Sequence, residues 1–292
     1  MPKGVYERKP RGPNATYGGL PTRAAVMAAM AQNEADISET DEDIMYRIEK
    51  TFSVLNTVAQ GVVNGDVRSL IVSGAPGCGK THMLEDILNR GERMGKIKLS
   101  SVKGTMSAIG LYQMLYDNRM SNSVLLIDDC DKIFEDIDAL NILKAALDTS
   151  ATRTLHWNKE SRVLADADIP RSFDFRGSVV FITNVNLQGY IEIGGKMAPH
   201  YDALVSRSMF VDLGIHSIRE IMCRIRQVVF STDYMVNQGV SGDQVQNVCS
   251  WLESHTKRLQ RLSIRTVSQL LVMHKLHDHW EEIAEVTLLK RH

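Results

Sequence analysis

Between Ile44 and Val63, apolar side chains recur at helical spacing, with Ile44, Ile48, Phe52, Leu55, Val58 and Val62 on one face. After Gly65 the texture changes. Ser69-Leu-Ile-Val is a short apolar run bounded by glycine and predicts a buried strand. Thr81 to Arg93 predicts a helix, with Met83, Leu84, Ile87 and Leu88 on one side. Lys96 to Val102 predicts a strand, and Val124-Leu-Leu-Ile a second buried one. Leu140, Leu143 and Leu147 mark the helix behind it, and Val179-Val-Phe-Ile predicts a third buried strand. Strands alternating with helices imply an α/β fold, a parallel sheet covered on both faces. Between Thr149 and Gly177 the alternation breaks into a polar stretch with Trp157 and Ser172-Phe-Asp-Phe, read as a hairpin insertion.

From Gly214 the strand signal disappears. Ile218, Ile221, Met222, Ile225 and Val229 form one helical stripe, Val245, Val248 and Leu252 another, and Ile264, Val267, Leu271 and His274 a third. The expectation is three parts: an N-terminal arm over 1–33, an α/β domain over 34–213 with an insertion at 149–177, and a small helical domain over 214–292.

Composition adds most at the N-terminus. The first 21 residues hold four of the seven prolines and four of the twenty glycines, and carry Lys3, Arg8, Lys9 and Arg11 against Glu7 alone. So few apolar groups cannot offset ordering entropy, which predicts a mobile basic arm. Lys9-Pro-Arg11-Gly-Pro also bears a faint likeness to a minor-groove hook, with a solvated tail as the first reading. From Glu34 to Asp43 the sign reverses, as in an acidic helix start or a linker. Over the whole chain, 34 Lys and Arg balance 35 Asp and Glu, so net charge names no partner. No window approaches 18 uncharged apolar residues, which excludes a membrane-spanning helix, and no apolar run follows the first charges as in a secretory signal. Cys78, Cys130, Cys223 and Cys249 form no C-x-x-C pair, which argues against a zinc or disulfide scaffold and for a reducing, cytoplasmic setting.

The chemistry concentrates at strand ends. Gly74-Ala75-Pro76-Gly77-Cys78-Gly79-Lys80-Thr81 matches G-x-x-x-x-G-K-[ST] in full, after a predicted strand and at the start of a predicted helix. Glycines let backbone N–H groups wrap phosphates, and the helix N-terminus adds a favourable dipole. Lys80 is placed to reach the β- and γ-phosphates, and Thr81 to hold Mg²⁺. Val124-Leu-Leu-Ile-Asp128-Asp129 puts carboxylates at the C-terminal end of a central strand, where doubly wound sheets bind ligands. Asp128 is the candidate Mg²⁺ ligand and Asp129 the candidate for orienting or deprotonating water. Asp131 leaves the second assignment open. No Asn-Lys-x-Asp guanine-reading motif is present, and Asn184-Val-Asn186 lacks its lysine and aspartate, so adenine is the expected base.

With these motifs in this order, the sequence resembles the AAA+ ATPase superfamily of phosphate-loop NTPases from about Ile44 to the C-terminus. Phe181-Ile-Thr-Asn184 is similar to the family's sensor 1, Ala203-Leu-Val-Ser-Arg207-Ser to its arginine-finger segment, and Leu262-Ser-Ile-Arg265-Thr to its sensor 2. The resemblance implies that Asn184 helps position water, that Arg207 completes a neighbouring subunit's site, and that Arg265 senses the γ-phosphate from a helical lid. It implies Mg-ATP hydrolysis in a homo-oligomer, hexameric or helical. Most members carry Glu after the strand-ending Asp, so Asp129, one methylene shorter, points to slower hydrolysis. Lys103-Gly-Thr-Met-Ser, Leu-Ile-Asp-Asp-Cys-Asp, Leu-Lys-Ala-Ala-Leu-Asp and Ser-Phe-Asp-Phe-Arg-Gly together resemble bacteriophage-encoded AAA+ proteins.

The resemblance leaves the cargo open. A DNA-associated remodeller draws on the basic arm and the Lys103-Gly104-Thr105-Met106 loop, which reads equally as a plain connection. A protein remodeller lacks the pore aromatic expected of threading members. A slow ATP-gated assembly switch has Asp129 as its hint.

Overall fold

The computed structural model describes residues 39–150, 152–231 and 240–290, and the basic arm over 1–33 lies outside them. Helix α1 (Asp41–Asn64) opens on a capping box. Thr40 Oγ1 accepts from Asp43 N at 3.1 Å, while Asp43 Oδ2 accepts from Thr40 N at 3.2 Å. Asp41, Glu42 and Asp43 fill its first turn, where the helix dipole favours negative charge. Of the acidic run's two readings, these three residues therefore form a helix start. Gly65, at φ 85°, ends α1 in the left-handed conformation.

The body alternates as the apolar pattern predicts. Strand β1 (Ser69–Ser73) leads into α2 (Lys80–Arg93), β2 (Lys98–Lys103) into α3 (Ala108–Asp117), and β3 (Ser123–Asp128) through a short 3₁₀ turn into α4 (Ile137–Ala146). A two-stranded antiparallel insertion follows: β4 (Arg153–His156), a short α5 (Arg162–Asp166) and β5 (Ser172–Phe175). Then come β6 (Ser178–Thr183), α6 (Leu187–Ile193), α7 (Ala198–Val205) and β7 (Met209–Asp212). The five-stranded sheet runs in the order β2-β3-β6-β1-β7 with every pair parallel.

Strands β1, β3 and β6 are buried along their whole length, which explains their continuous apolar runs. One apolar layer joins the sheet to α1 and α2 through Ile48, Leu55, Leu84 and Leu88. The other joins it to α3, α4 and the insertion through Leu111, Tyr112, Leu143 and Phe175. Tyr112 holds the insertion against α3, with its ring centroid 5.0 Å from Phe173 and 5.7 Å from Trp157. Arg153 closes the insertion's base by donating to Ala146 O and Gly177 O, each at 2.8 Å.

The remaining helices are α8 (Ile218–Ser231), α9 (Gly242–His255), α10 (Ile264–Leu276) and α11 (Trp280–Leu288). They enclose a separate apolar cluster around Ile225, Val248, Leu252, Val267, Leu271 and Trp280. Of the stripe residues expected inside, Ile218 is exposed, and His274 stacks on Trp280. Arg219 and Arg226 of α8 both pair with Asp41, at 2.7 and 3.0 Å, and tie this helical body to α1. No helix among the described residues is long and apolar enough to cross a membrane.

Candidate functional site

The site forms at the C-terminal edge of the sheet, where β1, β3 and β6 all end. Gly77 and Gly79 adopt φ of 74° and 102°, left-handed values that L side chains resist. Gly77 is also required by space, since Ser263 Cβ lies 2.8 Å from where a Cβ on Gly77 would stand. The loop can therefore turn its amides inward at the start of α2. Cys78, 3% exposed, has its thiol pKa raised by burial.

Lys80 is 4% exposed, and burial pushes its ammonium pKa down against the pull of Cys78 and the nearby acids. Its Nζ donates to Gly74 O at 2.7 Å, Ala75 O at 2.9 Å and Asn184 Oδ1 at 2.9 Å. Asn184 Nδ2 donates in turn to Asp129 Oδ1 at 2.8 Å. An ammonium only donates and a carboxylate only accepts, so the two partners set the orientation of the amide. The strand order makes this chain possible by placing β6, which ends at Thr183, between β1 and β3.

Asp128, 2% exposed, accepts from Thr81 Oγ1 at 3.2 Å. A hydroxyl and a carboxylate so paired supply the hard oxygen donors that Mg²⁺ prefers. With the glycine cradle and Lys80, the donor set fits a magnesium-bound nucleoside triphosphate. Asp129 sits at φ 54°, in the left-handed region, which turns its exposed side chain towards Asn184. Asp131 is occupied elsewhere. Burial raises its pKa, and it accepts from Thr183 Oγ1 at 2.6 Å, which props the loop carrying Asn184.

The lid side of the loop is built from α10. Ile264 N donates to Gly77 O at 3.1 Å, and Arg265 Cγ lies 3.9 Å from where a Cβ on Gly77 would stand. Arg265 is exposed at this mouth. Arg207 is not brought to the same pocket. It precedes β7 at the opposite, N-terminal edge of the sheet, where Nη1 donates to Ala203 O at 2.8 Å and Nε lies 3.6 Å from Asp148 Oδ1. Lys103, read as the first residue of the loop after the second strand, is instead the last residue of β2 and points its ammonium at the site. Its Nζ lies 2.7 Å from Glu85 Oε1 and 3.4 Å from Asp128 Oδ2, because the β2–β3 register sets Lys103 opposite Asp128.

Two groups had no sequence signal. Asp212, at the end of β7, holds His216 Nε2 at 3.1 Å beside the phosphate loop's strand. Arg224 of α8 reaches the loop from the lid and donates from Nε to Cys78 O at 3.2 Å. Neither belongs to a spaced motif: the β1–β7 pairing sets Asp212 beside Ser73, and the packing of the helical body brings Arg224 to the loop.

Comparison with known proteins finds relatives in sequence and in fold. The model of the family described as "ATPase family associated with various cellular activities (AAA)" matches residues 70–186. An uncharacterised 36.7 kDa protein of Enterobacteria phage T4, from the nrdC-mobD intergenic region, is 44% identical over 252 residues, 85% of this chain and 77% of that one. Domain III of the Thermotoga maritima replication initiation protein DnaA aligns over 79% of this chain and 85% of its own, at 15% identity and TM-score 0.45. The Aeropyrum pernix ORC1 protein, solved in complex with DNA, aligns over 83% of this chain and 62% of its own, at 13% identity and TM-score 0.45. Neither structural likeness reaches a level that carries a functional inference. The sequence matches show the family: the chain belongs to the AAA family of ATPases, with a bacteriophage-encoded protein among its relatives.

Proposed function

We propose that the protein hydrolyses ATP to ADP and phosphate in a magnesium-dependent reaction completed between neighbouring subunits. The observation that carries this reading is the hydrogen-bonded chain from Lys80 through Asn184 to Asp129, set beside the Thr81–Asp128 pair. Lys80 and the loop amides hold the β- and γ-phosphates, and Thr81 and Asp128 hold Mg²⁺, which supplies neutralisation of charge on the phosphate oxygens. Asp129, fixed by Asn184, orients the attacking water and accepts its proton. Arg265 closes on the γ-phosphate from the lid. Arg207, remote from its own pocket, serves the pocket of the next copy in a ring or helical homo-oligomer. The test is ATPase activity of the parent against Lys80→Ala: the variant should neither bind nor hydrolyse ATP while remaining folded. Equal rates in the two proteins would remove the site assignment.

The work done with ATP is read as remodelling of a DNA-associated assembly, as in replication or helicase loading. Support comes from the basic arm, Lys3, Arg8, Lys9, Arg11 and Arg23. Lys103 adds little, because Glu85 and Asp128 already engage its charge. Salt-dependent DNA binding by the ATP-loaded protein, lost on deletion of residues 1–23, is the expected result. Stimulation of the ATPase by a protein partner alone would favour a protein remodeller instead. A slow assembly switch is the second reading, favoured by the short Asp129 carboxylate on a left-handed backbone. Turnover far below one per minute under all conditions would support it.

A further inference from the structure

Arg224 is half-buried on α8, facing the phosphate loop from the lid. Its guanidinium carbon lies over the ring of Phe52 of α1, 3.6 Å from the centroid, a cation–π contact. Nε is used on Cys78 O at 3.2 Å, and Nη1 lies 3.5 Å from Gln227 Oε1. Nη2 has no partner among the described residues, yet it stands 3.8 Å from where a Cβ on Gly79 would be. No carboxylate among the described residues lies within ion-pair distance of Arg224. Burial pushes its pKa down to about 10, so the group is still charged at neutral pH.

The contrast with Arg153 is informative. Burial pushes that guanidinium to about 10 as well, but both of its Nη atoms are spent on backbone carbonyls that close the insertion. Arg153 is thus fully used in holding the fold. Arg224 is held by Nε on Cys78 O, a long contact from Nη1 to Gln227 and a ring, with Nη2 left over beside the glycine that opens α2. Sequestering a guanidinium without an acid is costly unless an anion completes it. The position narrows which anion. Lys80 works at the Gly74, Ala75 and Asn184 end of the loop. Arg224 lies at the Cys78–Gly79 end, and no acid is among the groups that shift its pKa.

We infer that Arg224 is a second lid arginine that binds the α- and β-phosphates of the nucleotide, distinct in task from Arg265 at the γ-phosphate. The inference rests on the nucleotide-binding reading of the loop. A guanidinium suits the task because one nitrogen can hold the loop backbone while another reaches a phosphate oxygen. The lid then senses any bound nucleotide through Arg224 and the presence of the third phosphate through Arg265. Product ADP would therefore keep the lid engaged.

The experiment compares ATP and ADP affinities, measured by calorimetry without turnover, for the parent, Arg224→Gln, Arg224→Lys and Arg265→Ala. Arg224→Gln should weaken ATP and ADP alike, by about tenfold, the loss expected for one charge-assisted hydrogen bond. Arg224→Lys should retain most of the affinity for both. Arg265→Ala should weaken ATP more than ADP. Thermal unfolding without nucleotide separates binding from a clamp that only holds the lid. Unchanged ADP affinity in Arg224→Gln overturns the inference, and so does an equal loss in both Arg224 variants matched by equal loss of stability without nucleotide. Failure of the parent to bind either nucleotide would instead overturn the reading of the loop itself.

Discussion

At the scale of single residues, the site separates three acids that the sequence places within four positions. Asp128 is buried against Thr81, Asp129 is turned out to Asn184 by its left-handed backbone, and Asp131 is taken up by Thr183. Their tasks should separate in the same way. Asp129→Asn should keep ATP binding and lose hydrolysis by about 10²-fold or more, the usual worth of a positioned base. Asp128→Asn should weaken nucleotide binding and its magnesium dependence together. Binding isotherms at several Mg²⁺ concentrations, beside single-turnover rates, check both, and interchanged phenotypes would reverse the two roles. The motif alone left Asp129 and Asp131 as rivals because spacing along an irregular turn does not fix direction. Their hydrogen bonds in the fold distinguish them.

At the scale of elements, the junction between β7 and α8 carries a titratable pair. The hydrogen bond and charge of Asp212 raise the pKa of His216 above its ordinary value of about 6.5, against the effect of burial. Burial opposes the ionised form of Asp212, but His216 outweighs it and the carboxyl is held below its usual range. Glu220 of α8 adds to the raising of His216, and Arg47 of α1 works against it. A raised histidine contributes stability that is complete below about pH 6.5 and is lost as pH rises through its folded pKa. Thermal stability should therefore decline on going from pH 6 to pH 8, and His216→Gln should flatten that decline. A profile of the variant parallel to the parent's would dissociate the pair from stability.

The same scale shows where periodicity stops being informative. The buried strands β1, β3 and β6 were legible as apolar runs, because a strand covered on both faces has no polar side to interrupt it. Strand β7 was not, since Met-Phe-Val-Asp lies at the sheet edge with only Val211 buried and so lacks the continuous buried run that marks the central strands. Helix α11 escaped for a related reason: only Trp280 and Ala284 of its nine residues are buried.

At the scale of the whole molecule, Arg207 and the phosphate loop lie at opposite edges of one sheet. The two do not meet within one chain, so the task proposed for Arg207 at a pocket requires a second copy. Arg207→Ala should bind ATP nearly as the parent does and hydrolyse it roughly 10³–10⁵-fold more slowly. Mixing it with Lys80→Ala should restore part of the activity, because some interfaces then pair an intact pocket with an intact arginine. Activity of the mixture, with co-assembly verified by sedimentation, is the measurement. An inactive mixture of co-assembled variants would exclude action across the interface.

The sequence by itself determined the fold class and carried the motifs of the proposed nucleotide site. Both are local: a complete phosphate loop occupies eight consecutive residues, and a buried strand ending in acids occupies six. The alternation of strand and helix leaves few ways to cover a parallel sheet. Only the tertiary structure decided what depends on distance through space. Strand order brings Asn184 between Lys80 and Asp129, register sets Lys103 against Asp128, and lid packing delivers Arg224 to the lid side of a loop 146 positions earlier in the chain. The physical reason is that backbone periodicity is written every two to four residues, whereas these contacts are set by how whole surfaces pack.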